Sequence, residues 1–183
     1  KPSLAENQDY LQMMIEELDD LNSIISIFLA VSRGVEHKKE LGNLNEIIES
    51  ISPLIQTIAR EEEKIFLTDL QQIPDLFLNM KEIRHLILKM SRNSYQAMGR
   101  NGILTISTRC EENNIILEIE DQGPGIEPEV LEKLGTPFLT VKEMGKGLGL
   151  AVCYRIAKRH GASIEVNSGK EGTVFRIRFE TLK

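Results

Sequence analysis

The sequence predicts an α+β sandwich, with helices on one face of a mixed, mostly antiparallel sheet and a long helix leading into it. Three patterns carry that expectation. Leu11, Met14, Leu18, Leu21, Ile25 and Phe28 recur in steps of three and four near the amino end. Two further segments between residues 44 and 98 repeat at helical period, and the last eighty residues alternate at period two around one loop and one helix.

The amino-terminal seam is that of a coiled coil or helix bundle, with Glu16, Glu17, Asp19 and Asp20 off the seam and solvated. So narrow a stripe does not hold a lone helix in water and must bury against partner helices. Gly34 and the charged stretch Glu36 to Glu40 then read as a hinge. Asn43 or Asn45 caps a helix from about Leu44 to Glu62, with Ile47, Ile48, Ile51, Leu54, Ile55 and Ile58 on one face. Pro53 should kink or break it. Lys64 to Leu70 and Pro74 to Leu78 are strand candidates on either side of a turn. A third helix runs from about Asn79 to Met98 with Ile83, Leu86, Ile87, Met90 and Ala97 inward.

Further on, residues 103–108 alternate. After the turn pair Asn113-Asn114, Ile115, Leu117 and Ile119 alternate with Glu118 and Glu120, so the two runs form a hairpin. The Gly- and Pro-rich stretch Asp121 to Gly149 interrupts regular structure. Leu148 to Lys158 is helical, stopped by Gly161, and the strands Ser163 to Asn167 and Thr173 to Phe179 close the chain. Phe175, Ile177 and Phe179 point inward.

Composition narrows the function. With 22 Lys and Arg against 28 Asp and Glu, the 183-residue chain has a formal charge of −6, a poor balance for gripping nucleic acid. Two cysteines make no disulfide scaffold, no Cys/His cluster has zinc spacing, and the longest apolar run, Ile24 to Val31, falls far short of the roughly 20 residues a membrane span needs. A soluble protein of a reducing, cytoplasmic compartment is expected. The chain opens on Lys1 rather than Met, so it is expected to be a piece of something longer.

Four segments carry the chemistry. In order they are Arg92-Asn93-Ser94-Tyr95-Gln96-Ala97-Met98, Asp121-Gln122-Gly123-Pro124-Gly125, Thr136-Pro137-Phe138-Leu139-Thr140 and Gly145-Lys146-Gly147-Leu148-Gly149-Leu150. The last places alternating glycines before a helix, where backbone N–H groups and the positive dipole end suit phosphate. Lys142 and Lys146 add positive charge. It is neither a P-loop, since Thr140 and Gly147 occupy the positions of the first Gly and the Ser/Thr, nor a dinucleotide fingerprint, since Leu150 replaces the third Gly. Asp121, at a strand end before two glycines, can accept from an exocyclic amine such as that of adenine, or serve as a plain acidic turn residue. Asn93 can offer a hard oxygen to Mg²⁺, or stand as a surface amide.

In this order the four blocks resemble the asparagine, Asp-x-Gly-x-Gly, phenylalanine and glycine boxes of the ATP-binding domain of sensor histidine kinases, in the GHKL ATPase superfamily with the Bergerat fold. The likeness covers roughly Leu41 to Lys183; Gly172-Thr173-Val174-Phe175 and His160-Gly161-Ala162 extend it, and Leu18 to Arg33 resembles the second helix of the family's dimerisation bundle. It implies a partial dimerisation helix over residues 1–38 and a catalytic ATP-binding domain over residues 39–183. The resemblance further implies that Asn93 binds Mg²⁺ bridging the phosphates, that Asp121 reads adenine, and that Gly123 and Gly125 shape the adenine pocket. Phe138 and the Thr136 to Gly145 stretch would form a mobile lid. Lys142, Gly145, Lys146, Gly147, Leu148 and Gly149 would face the phosphates, and Thr173 would close the adenine side. ATP and Mg²⁺ are the implied cofactors. The implied partners are a response regulator receiver domain and the protein's own dimerisation domain, as a homodimer, without nucleic acid.

Three departures accompany the likeness. Lys89 stands where many members carry a second Asn, one turn before Asn93; Ser94 replaces an Ala; Lys146 replaces Thr or Ser. None of His37, His85 and His160 has the acidic neighbour and Pro of the family's phosphoacceptor, so that histidine is expected upstream of this chain, with no catalytic residue of its own here. Two other readings stand beside the kinase. One is a degenerate scaffold that dimerises without turnover, and the other is a serine-type anti-sigma factor kinase, against which the amino-terminal heptads argue.

Overall fold

The computed structural model describes residues 38–131, 134 and 149–180. The expected amino-terminal helix and its seam lie outside those residues. The chain enters through strand β1 (Glu40–Gly42), a three-residue strand at the end of the stretch read as a hinge. Helix α1 (Leu44–Glu61), strands β2 (Ile65–Leu70) and β3 (Leu76–Leu78) and helix α2 (Met80–Ala97) follow. Then come β4 (Ile103–Glu111), β5 (Asn114–Asp121), a single turn α3 (Pro128–Leu131), α4 (Gly149–Arg159), β6 (Ala162–Gly169) and β7 (Gly172–Glu180).

Five strands form one sheet in the order β2-β4-β5-β7-β6, parallel only between β2 and β4, while β1 and β3 pair separately as an antiparallel ribbon. The β4–β5 hairpin turns on Glu112 and Asn113, one residue earlier than the Asn-Asn pair suggested, with Glu112 taking φ 53 and Asn114 already in β5. The helices share one face of the sheet: α1 lies over β2, α2 over β4 and β5, and α4 beside α2 over β6. This is the expected sandwich, and the central place of α2 in the helix layer puts its residues at the heart of both the core and the site.

Periodicity explains most of the burial. On α1 the stripe Leu44, Ile47, Ile48, Ile51, Ile55 and Ala59 is buried. Leu54, read as inward, is 51% exposed, because its place on the 3.6-residue wheel is the flank of that stripe. Pro53 does not break the helix, which continues through it to Glu61. Burial of six inward side chains outweighs one missing backbone hydrogen bond. On α2, Ile83, Leu86, Ile87 and Met90 are buried as expected, joined by Ser91, Ser94 and Tyr95. Ala97 is exposed, contrary to its place in the apolar series, since the helix there passes beyond the core to face the loop after β5.

Both ends of α2 are tied down. Asn79 caps the helix by accepting from the Glu82 amide (3.1 Å), and its own N–H donates to Nε2 of His160 at 2.9 Å. Nδ1 of His160 lies 2.8 Å from the Ile156 carbonyl. Burial lowers the pKa of this imidazole, which keeps it neutral, donating through Nδ1 and accepting through Nε2. His160 thus joins the end of α4 to the start of α2. At the other end, the hydroxyl of Ser94 reaches β5.

The sheet face turned away from α1, α2 and α4 is ionic. Arg109 on β4 forks onto Glu118 on β5, which also accepts from Arg176 Nε on β7 at 2.6 Å. Ile116 is fully buried on this face, in register with Arg109 and Arg178, whose aliphatic stems are placed to cover it.

Adjacent residues on α1 separate the core face from its flank. Ile55→Ala is expected to destabilise the domain by about 2–5 kcal/mol and Leu54→Ala by less than about 1 kcal/mol. Urea unfolding of both variants, followed by circular dichroism, checks the difference; equal losses would contradict this packing.

Candidate functional site

The site begins with a buried carboxylate. Asp121 is the last residue of β5, in register with Leu104 on one side and Thr173 on the other, and only 4% exposed. Its Oδ2 accepts from the Ser94 hydroxyl on α2 at 2.9 Å, and its Oδ1 accepts from the Gly123 amide at 2.9 Å. Burial raises the Asp121 pKa, while the Gly123 amide, the Ser94 hydroxyl and the Thr173 backbone pull the other way. Two oxygens offer about four lone-pair positions. With Ser94, Gly123 and the Thr173 backbone donating, about one of those positions is left.

The loop after Asp121 is shaped by close backbone approach. A Cβ on Gly123 would lie 2.8 Å from Asp121 Oδ1 and 3.3 Å from Ala97 Cβ. Gly125 has φ +83, and a Cβ there would meet the Gly169 carbonyl at 2.2 Å. Both glycines are therefore demanded by the protein's own packing: Gly123 so that the carboxylate can fold back on the loop, Gly125 so that the loop can rest on the β6–β7 turn. The Ile126 amide donates to Ser168 Oγ (2.8 Å), which lies 2.8 Å from Thr173 Oγ1. Thr173, itself buried, thus belongs to the wall behind Asp121.

Asn93 stands one residue before Ser94 and one turn before Ala97, on the α2 face that fronts this loop. A Cβ on Gly149, the first residue of α4, would lie 3.8 Å from both Oδ1 and Nδ2 of Asn93 and 3.7 Å from Lys89 Cδ. One face of α2 therefore runs between two groups of candidate residues, the ends of a candidate cleft. Lys89 and Asn93 meet the amino end of α4, and Ala97 meets Gly123 beside Asp121. Eight residues of helix, about 12 Å, separate the extremes.

Asn93, Asp121, Gly123, Gly125, Gly149 and Thr173 are brought together around this cleft. Phe138, Lys142, Gly145, Lys146, Gly147 and Leu148, with the expected lid, lie outside the described residues. Sequence reasoning missed Ser94 as a partner of the carboxylate. The signal was present, since Ser94 continues the series Ile83, Ile87, Met90 and must be buried, and a buried hydroxyl needs a partner. Ser168 had no such signal, and Gly172 entered only through the likeness of Gly172-Thr173-Val174-Phe175. A Cβ on Gly172, at φ +141, would lie 1.8 Å from the Asp121 carbonyl, a clash that only the β5–β7 register reveals.

Among the described residues, no group of three His, Cys, Asp or Glu is placed to hold a metal ion. A cation beside Asn93 would thus rest on the amide oxygen and on oxygens brought by a ligand or water, which suits Mg²⁺.

A buried acceptor at one end of the candidate cleft, and an amide, a lysine arm and a helix amino terminus at the other, would suit a ligand that is polar at one end and anionic at the other. The model of the histidine kinase-, DNA gyrase B- and HSP90-like ATPases matches residues 79–183, and the chain belongs to that family of ATP-binding domains. Over 98% of its length it is 31% identical to sporulation kinase A of Bacillus subtilis, and over 96% it is 32% identical to the sensor histidine kinase ZraS of Salmonella typhi. It spans 30% and 38% of those two relatives. The catalytic domain of the histidine kinase ThkA, in a nucleotide-free form, superposes with a TM-score of 0.72 at 26% identity, covering 79% of this chain and 96% of that one. No helix among the described residues is long and apolar enough to cross a membrane.

Asp121→Asn is expected to leave the fold intact. Because the folded pKa is raised, the contribution of Asp121 to stability is fully present below its ordinary value of 3.8 and is lost as the pH rises through the folded pKa. The variant should therefore gain on the native protein across that window and hold its gain to neutrality. Urea midpoints measured from pH 3 to 7 check the sign; a deficit growing with pH would refute it.

Proposed function

We propose that this chain is the ATP-binding catalytic module of a bacterial sensor histidine kinase, preceded over residues 1–38 by part of its dimerisation domain. The observation that supports the reading is that α2 carries Asn93 beside the amino end of α4 and, within one turn, Ser94 and Ala97 beside the Asp121 carboxylate and its loop. Asp121 would accept from the exocyclic amine of adenine, held in place by Ser94 and Gly123. Thr173 and Ser168 would back the purine, and Gly125 would keep the loop seated beneath it. Asn93 would offer its oxygen to Mg²⁺, which supplies neutralisation of the phosphate charge. Gly149 and the glycines and lysines before it, with Phe138 in the lid, would receive the phosphates.

Such a site mostly positions and screens charge, as phosphoryl transfer requires. In the whole protein, the γ-phosphoryl group would pass from ATP to a neutral imidazole nitrogen on the dimerisation domain, leaving ADP, and then to an Asp of a response regulator receiver domain. Dimerisation through a helical bundle and a cytoplasmic site of action belong to the same proposal. Support comes from family membership and from relatives named as sensor and sporulation kinases.

Calorimetric titration of this chain with Mg²⁺ and ATP should give saturable binding, reduced roughly tenfold or more by Asp121→Asn in folded protein. Incubated with γ-labelled ATP the chain should stay unlabelled, and a longer protein carrying the upstream region should gain an acid-labile label. Absence of saturable binding to either ATP or ADP would sink the proposal.

A further inference from the structure

Lys89 and Asn93 lie one turn apart on α2 and share its surroundings. Both reach the first residue of α4, where a Gly149 Cβ would lie 3.7 Å from Lys89 Cδ and 3.8 Å from the two polar atoms of the Asn93 amide. The lysine is half-buried, so its arm is packed along the cleft instead of trailing in solvent. Its positive charge is felt one turn further along α4, where it favours the thiolate of the buried Cys153 against the effect of burial. The amino terminus of α4 adds its own positive partial charge at the same end of the cleft.

From this juxtaposition we infer that Lys89 supplies part of the charge neutralisation of the nucleotide phosphates, so that this site binds ATP with little dependence on a divalent cation. The inference rests on the cleft being an ATP site. An ammonium tethered to α2 acts without a separate ion-binding step, and as a point charge it needs no fixed geometry to meet a phosphate oxygen. The same charge repels a cation approaching Asn93, which weakens the cation's contribution while metal-free binding is strengthened.

The test is calorimetric titration of the native chain, Lys89→Asn and Lys89→Arg with ATP, in excess Mg²⁺ and in EDTA, with AMP as a probe lacking the two outer phosphates. Native affinity for ATP should differ by less than about threefold between the two conditions. Lys89→Asn should lose about tenfold or more in EDTA but less than about threefold in Mg²⁺, and Lys89→Arg should keep the native pattern. AMP affinity should be the same in all three proteins, which a merely structural role for Lys89 would not produce. Equal losses of Lys89→Asn in both conditions, or none in either, would overturn the role of Lys89 while leaving the ATP site standing. Native protein that binds no ATP in Mg²⁺ or EDTA would remove the site itself, and this inference with it.

Discussion

A carboxylate held almost out of water is the constraint on which the domain is arranged. Asp121 ends the central strand of the sheet, and its two oxygens are gripped from different directions, by a hydroxyl of α2 and by an amide of its own loop. Burying that group is unfavourable on its own, as its raised pKa records. The hydrogen bonds offset part of the loss and, in doing so, hold helix, strand and loop at one relative position. A protein selected only for stability would place an apolar residue there. A charge kept buried, with acceptor capacity to spare, is the kind of local disadvantage that functional sites carry.

What surrounds the carboxylate follows from that grip. Gly123 has no side chain because Oδ1 lies where a Cβ would be, and Gly172 has none because the Asp121 carbonyl lies there. The β6–β7 turn, through Ser168 and Gly169, supports the loop from below. At the far end of α2, His160 anchors the cap, so the helix bearing Lys89, Asn93 and Ser94 is fixed at both ends against α4 and β5. A rigid helix is a better base for a polar site than a loop. The cleft here is lined by one helical face with a lysine, an amide and an alanine at four-residue intervals.

The ionic face of the sheet shows a different solution to exposure. Arg109, Glu118 and Arg176 neutralise one another across three neighbouring strands, leaving Ile116 dry beneath them. Glu118 is held below the usual carboxylate range chiefly by hydrogen bonding to Arg109. Among the described residues no helix covers this side, where the long basic side chains cover apolar surface while their heads stay wet.

Local pattern alone determined the elements and much of the site. Repeats of 3.6 and 2 residues located three helices and four of the five main-sheet strands to within a residue or two of their ends, because burial on one face imposes a period on the chain. The resemblance of four ordered motifs, and not spacing alone, singled out Asn93, Asp121, Gly123 and Gly125, since each residue by itself also fits a plain turn or surface role. What the pattern could not supply was partnership across the sequence. Ser94 meets Asp121 27 residues away, His160 meets Asn79 81 residues away, and Gly172 yields to a carbonyl on a neighbouring strand. Nor could it tell that Leu54 sits at the flank of its stripe or that α1 runs through Pro53. Those outcomes were decided by the tertiary structure, because a hydrogen bond or a steric clash depends on where two backbones lie in space, and strand register and helix docking set that distance long after local propensity has had its say.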